Sequence, residues 1–171
     1  MCSAVRTGQP HHLKHFDYFG LYRYFLTWCT FERQRHFTTR EHVDLVLLQI
    51  QRSATEQRFA VVAYCFMPDH LHLLIEALVD DSDARRFIKA AKQYSAFYFK
   101  QEFECRLWQR YGFERTLRSK EATLTVARYI VENPLRARLV ERLEDYPFAG
   151  SSVYSLAEIR DAVSDRPRWS G

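Results

Sequence analysis

His70 and His72 stand one residue apart in the stretch Met67-Pro68-Asp69-His70-Leu71-His72-Leu73-Leu74. In a strand, side chains alternate faces, so both imidazoles project together while Leu71, Leu73 and Ile75 project to the other side. Two imidazoles at that spacing can share one metal ion. The alternative is a pair of exposed histidines on a solvated face. About sixty residues later, Tyr129 and Asn133 lie four apart in a segment of helical pattern. Residues four apart on a helix differ in direction by only about 40°, so these two share a face. Leu124, Ala127, Ile130 and Val131 form an apolar stripe suited to a core, and Tyr129 and Asn133 point nearly opposite its centre. Taken singly, Tyr129 reads as an ordinary half-buried aromatic and Asn133 as a helix-ending residue before Pro134. Taken with the histidines, they suggest a site. A divalent ion on two imidazoles and one amide oxygen keeps positions open for phosphate oxygens and offsets charge during phosphoryl transfer. A nearby cation would help expose the phenol oxygen of Tyr129 as a nucleophile, giving a covalent phosphotyrosine link. The mixture of amide and imidazole ligands points to Mg²⁺ or Mn²⁺, with His70, His72 and Asn133 as ligands.

Positioning those residues requires a particular set of elements. Tyr22 to Phe31 is rich in aromatic and β-favouring residues and reads as a strand. Thr38 or Thr39 can cap a helix to about Gln51, with Val43, Val46, Leu47 and Ile50 on one face. Phe59 to Phe66 and His70 to Ala77 read as strands joined by the Met67-Pro68-Asp69 turn. A long helix should start at Asp81 or Ser82 and end near Gln101, followed by an extended segment within 106–118. Ser119 can cap the helix carrying Tyr129, which should stop near Asn133 because Pro134 disfavours helical geometry before it. A short helical stretch fits 155–163. The order β-α-β-β-α-β plus a further helix predicts an α+β fold, a ferredoxin-like antiparallel sheet with helices on one face and an extra C-terminal nucleophile-bearing helix. The expected division is a flexible leader over 1–17, one domain over 18–153 and a tail over 154–171.

The 171 residues are 47% hydrophobic and 15% aromatic, enough for one folded domain and unlike a disordered chain. A net charge of +4 permits a nucleic-acid partner without demonstrating one. The 25 basic residues include only five lysines, and the planar arginine fork suits phosphate oxygens. No stretch approaches the roughly 20 apolar residues needed to span a bilayer. With no signal-peptide pattern and no close cysteine pairing among Cys2, Cys29, Cys65 and Cys105, a reduced, cytoplasmic protein is expected, nucleoid-associated if its partner is DNA.

The Met67-to-Leu74 stretch resembles the His-hydrophobic-His motif of HUH single-strand endonucleases. The run from Arg128 to Ala137 resembles the nucleophile helix of the REP-associated tyrosine transposases, and the segments Tyr24–Phe37, Leu107-Trp108-Gln109, Tyr146-Pro147-Phe148 and Ser151-Ser152 are similar to that family too. The resemblance runs from about residue 18 to 153. It implies a single-tyrosine transposase that cuts and rejoins single-stranded DNA beside a hairpin with a divalent metal. Tyr129 would then be the nucleophile, and His70, His72 and Asn133 the ligands. Asp69 stands where many relatives carry Asn, a change expected to be tolerated in a residue that turns the hairpin. Members of the family work as monomers or homodimers.

DNA contacts are expected from Arg85, Arg86, Lys89 and Lys92, which form a basic stripe along the second helix. Arg106, Arg110, Arg115 and Arg118 before the Tyr129 helix, and Arg136 and Arg138 after it, add cations near the tyrosine. A solvated helix surface is the alternative for the stripe. Trp108 or Tyr111 could stack on unpaired bases, although core packing suits Trp108 equally. His11, His12 and His15 could bind metal but fit a flexible leader better. Two rival functions stand beside the nuclease. One is a domesticated, non-catalytic binder of DNA hairpins; the other is a metal-dependent hydrolase without a covalent step, which Tyr129 and Asn133 disfavour.

Overall fold

A computed structural model describes residues 21–117 and 123–161. Five strands form one antiparallel sheet in the order β4-β1-β3-β2-β5: β1 Arg23–Cys29, β2 Phe59–Met67, β3 His70–Ala77, β4 Phe113–Leu117 and the short β5 Ala149–Gly150. The first four carry the expected α+β, ferredoxin-like order. Two crossover helices, α1 Arg40–Gln57 and α2 Ala84–Phe103, pack on the same face of the sheet, as right-handed crossovers require. Their buried faces, including Val43, Val46, Ile50, Phe87, Ala91 and Phe99, join Tyr24, Leu26, Trp28, Leu71, Leu73 and Ile75 in one core.

The opposite face has its own core, built on the expected extra helix, whose face the sequence pattern had left open. Helix α3, Thr123–Val131, lies across β2 and β3. It buries Val126, Ala127, Ile130 and Val131 against Val62, Ala63, Cys65, Met67 and Leu74. Nine residues are too few for a stable isolated helix. Each fully buried valine or isoleucine contributes about 1.5–3 kcal/mol of transfer free energy, so docking on the sheet sustains α3. A bulge between Val61 and Ala63 inserts Val62 into β2 and turns Ala63, Cys65 and Met67 toward α3. Tyr146 donates its hydroxyl to Phe66 O at 2.6 Å, pinning the return of the chain to β5.

Several boundaries depart from the sequence expectation. Thr39 caps α1 as expected, but the helix continues past Gln51 to Gln57. Ser53 and Thr55 turn their hydroxyls back onto Gln49 O and Gln51 O, so this polar run stays helical. It stops at Arg58, whose φ is 57°. Asp83, not Asp81 or Ser82, caps α2 by accepting from Arg86 N; Ser82 is buried and donates to Arg58 O. Helix α3 stops at Val131, close to the end expected near Asn133, but the chain does not leave helical geometry for long. After Glu132 the chain turns again as α4, Asn133–Arg136, with the proline in its first turn, where its fixed φ suits a helix start. Helix α5, Leu156–Asp161, falls within the stretch expected to be helical. The leader with its three histidines, Arg118 and Ser119 lie outside the described residues.

Candidate nuclease site

The β1–β3 register pairs Thr27 with His72 and Cys29 with His70. Directly paired residues share a face, and His70 and His72 therefore lie with Thr27, Cys29 and Leu74 on the side that α3 covers. Their rings meet edge to face with centroids 4.8 Å apart, and the two Nε2 atoms are 3.2 Å apart. The outer nitrogens are anchored. His70 Nδ1 lies 2.6 Å from Asp69 Oδ1, and His72 Nδ1 lies 3.0 Å from Thr27 Oγ1. Carboxylates and hydroxyls in this position hold a metal-ligating imidazole in one orientation and tautomer. Asp69 therefore does more than turn the hairpin, the role its sequence position suggested.

Two arrangements of protons satisfy this geometry. The Asp69 carboxylate accepts from His70 Nδ1–H, which leaves His70 Nε2 with a bare lone pair. Without a cation, His72 Nε2–H donates to that lone pair and the Thr27 hydroxyl donates to His72 Nδ1. With a cation, His72 would instead carry its proton on Nδ1 and donate it to Thr27 Oγ1, leaving both Nε2 lone pairs free for the ion. Bonds of about 2.1 Å at octahedral to tetrahedral angles put two ligand nitrogens about 3.0–3.4 Å apart, which brackets the observed spacing. Both imidazoles are kept neutral. Burial holds His70 below its ordinary value against the pull of Asp69. Burial, then His70 and the Arg136 and Arg33 cations, push His72 down to about 3. Neutral imidazole is the form that binds a metal.

Tyr129 reaches this group from α3. Its ring is 37% exposed and meets Phe25 edge to face at 6.5 Å, while Phe25 also packs on His72 at 5.8 Å. The Arg136 guanidinium sits 4.1 Å over the Tyr129 ring and donates to Tyr129 O. Phe25 thus stands between the Tyr129 ring and the His72 ring. Asn133 turns its Nδ2 back to Tyr129 O and Ile130 O, at 3.2 and 2.9 Å. Pro134 has no N–H to offer Ile130 O, so the amide replaces the missing donor. With Nδ2 held there, Oδ1 is the end of the amide available to a cation. Among the described residues no three His, Cys, Asp or Glu side chains converge as a metal cluster.

A turn at Glu32–Arg33 completes the surroundings. Both residues have positive φ, 50° and 56°, a conformation costing non-glycine residues about 1–2 kcal/mol each. Thr30, fully buried, ties this turn to the hairpin: its N–H donates to Asp69 O, and its single hydroxyl proton lies within reach of both Gln34 O and Asp69 O. Arg33 Nε lies 2.8 Å from Asp69 Oδ2. A surface ion pair of this kind contributes about 0–1 kcal/mol, too little to explain the strained turn by stability alone. Sequence reasoning missed Thr27, Phe25 and Arg33. A threonine and a phenylalanine two apart in the strand beside the H-x-H strand were the available signal for the first two; nothing local marked Arg33.

The expected DNA-binding residues separate into two groups. Arg115 pairs with Phe25 across β1 and β4 and so shares the imidazole face, as does Arg136. Arg85, Arg86 and Lys89 are exposed on α2, in the layer behind the sheet. Arg86 pairs with the capping Asp83. Lys92 is half-buried. It donates to Gln109 O and lies 5.9 Å from the Trp28 ring centroid, and burial lowers its pKa. Trp108 belongs to the core, with Nε1 donating to Ser95 Oγ at 2.8 Å, whereas Tyr111 is 54% exposed. Cys29, Cys65 and Cys105 are free thiols, and burial pushes Cys65 up to about 12, leaving it inert. No described helix is long and apolar enough to cross a membrane.

Residues 19–133 match the family described as transposase, IS200 like. A protein of Haemophilus influenzae, provisionally named a REP-associated tyrosine transposase, is 26% identical over 149 residues, covering 80% of this chain and 83% of its own. A solved REP-associated tyrosine transposase bound to a REP hairpin superposes with a TM-score of 0.65 at 20% identity, over 80% of this chain and 81% of that one. At that identity the superposition speaks for the fold.

Proposed function

The chain belongs to the IS200-like transposase family, and on that premise we propose that it cuts and rejoins single-stranded DNA beside a hairpin through a covalent bond to Tyr129. The observation that supports this most directly is the docking of α3 on the histidine face, where Phe25 touches both the His72 and the Tyr129 rings. Hairpin DNA as the partner rests on the likeness to the hairpin-bound transposase and on arginines around the site. In this reading His70, His72 and Asn133 hold Mg²⁺ or Mn²⁺. The ion, when bound, polarises the scissile phosphate and offsets charge on its oxygens.

The protein's own groups do the rest. Asp69 and Thr27 fix the imidazoles so that both Nε2 atoms face one point. Phe25 and Arg136 hold the Tyr129 ring from its edge and its face. The phenol oxygen attacks phosphorus and displaces one ester oxygen, so the strand ends in a free hydroxyl and a phosphotyrosine. Attack of a hydroxyl on the phosphotyrosine reverses the step and rejoins a strand.

The test is incubation with labelled, hairpin-bearing single-stranded DNA and Mn²⁺, followed by denaturing electrophoresis. A protein-linked product is expected from the wild type and none from Tyr129→Phe or in chelator. An undiminished adduct in Tyr129→Phe removes Tyr129 from the role. Tight hairpin binding with no adduct in the wild type would favour a non-catalytic hairpin binder.

A further inference from the structure

Arg33 is held beside the imidazole pair by two contacts and a strained turn. Its Nε meets Asp69 Oδ2 at 2.8 Å, and its Nη1 donates to Cys29 Sγ at 2.7 Å. Cys29 is the direct β1 partner of His70, so the guanidinium runs along the floor of the site next to that ring. The side chain is nevertheless 48% exposed. On the other flank, Arg136 lies over Tyr129. Two planar cations therefore bracket a pair of neutral imidazoles, and both act electrostatically on His72. The same Asp69 carboxylate that orients His70 orients Arg33, through its second oxygen. An ion pair formed only for stability has no need of two successive positive-φ residues; such strain gathers where a side chain must be presented to a ligand. The partner that suits two guanidiniums spread across one site is a run of phosphodiesters, which arginine forks bind bidentately.

We propose that Arg33 binds a backbone phosphate of the cut strand, within two nucleotides of the scissile bond and on the flank away from Arg136. This rests on the reading that the site receives single-stranded DNA. Arg33 is then a positioning residue: Asp69 links the seating of that phosphate to the orientation of His70.

The experiment reads binding, in a Tyr129→Phe background where no adduct can form, with hairpin-bearing DNA carrying a single neutral methylphosphonate linkage at successive positions. For the protein with Arg33 intact, one neutral linkage near the cut should weaken binding about tenfold. Arg33→Gly relieves the positive-φ strain and keeps the fold, which its melting temperature checks. It should weaken binding of natural DNA about tenfold, and the same neutral linkage should then cost less than twofold more. Arg33→Lys, which keeps the charge but loses the fork, should recover part of the affinity. Equal losses from the neutral linkage with Arg33 present and absent, at every position, would overturn the proposal. So would indifference of the Arg33 protein to all neutral linkages near the cut. Failure of the wild type to form an adduct bears on the nuclease reading alone, because the binding measurement does not need cleavage.

Discussion

The fold rejects the charged form of His72, and this makes stability dependent on pH in a calculable way. Its folded value is about 3, below the ordinary 6.5, so the unfolded chain takes up the proton first as pH falls. The sign follows from linkage: above pH 6.5 the residue contributes no pH dependence, and from 6.5 downward toward 3 it progressively destabilises the fold. At pH 5 the unfolded state lies 1.5 units below its own pKa, and at about 1.36 kcal/mol per unit the loss is about 2 kcal/mol. Urea unfolding of the metal-free protein in chelator, at pH 7 and pH 5, measures it. The wild type should lose about 2 kcal/mol more than His72→Gln over that interval. Removing His72 also relieves its repulsion of His70, so the difference belongs to the coupled pair. Equal losses in wild type and variant would refute the buried, neutral imidazole. Saturating Mn²⁺ should raise stability at pH 7 and do so less at pH 5, as protons compete for the ligands.

Other outcomes follow from the contacts around the site. Asp69→Ala frees the His70 ring and should weaken Mn²⁺ binding 10–100-fold by calorimetry, while Asp69→Asn, which can still accept from His70 Nδ1, should lose less; no change in the alanine variant would argue against a metal on His70. Asn133→Ala strips the side-chain donor from Ile130 O, which Pro134 leaves open, and from Tyr129 O. It should cost about 1 kcal/mol, a fall of about 2–4 °C in Tm even without metal, and an unchanged metal-free Tm would mean the amide has no structural part. Lys92→Met should leave the salt dependence of DNA binding unaltered, because that ammonium is turned inward. Arg136→Gln should reduce the slope of log K against log salt by about 0.7. A reduced slope in Lys92→Met would return Lys92 to the DNA surface.

Much of the site was readable because it depends on periodicity within single elements. Alternation in a strand put His70 and His72 on one face and Leu71, Leu73 and Ile75 on the other. Helical rotation put Tyr129 and Asn133 together, away from the stripe of Ala127, Ile130 and Val131. The same arithmetic misled for Lys92. Spacing placed it in a stripe with Arg85, Arg86 and Lys89, but it could not reveal that Trp28 and Gln109 would close over its ammonium.

What the sequence by itself determined is the chemistry available: two imidazoles, a phenol and an amide, each assigned to a face of its own element by the backbone repeat. Only the tertiary structure decided which faces meet. Helix α3 could have lain beside α1 and α2; the bulge at Val62 and the apolar patch of Ala63, Cys65, Met67 and Leu74 drew it to the other side. That docking set Tyr129 against Phe25, which also packs on His72, and the basic stripe of α2 lies behind the sheet. Asp69 and Arg33 are 36 positions apart in sequence yet in contact. Their partnership arises from the closing of a strained turn onto a hairpin tip, and no local pattern encodes a contact between two turns. Face is a property of an element, whereas adjacency is a property of packing.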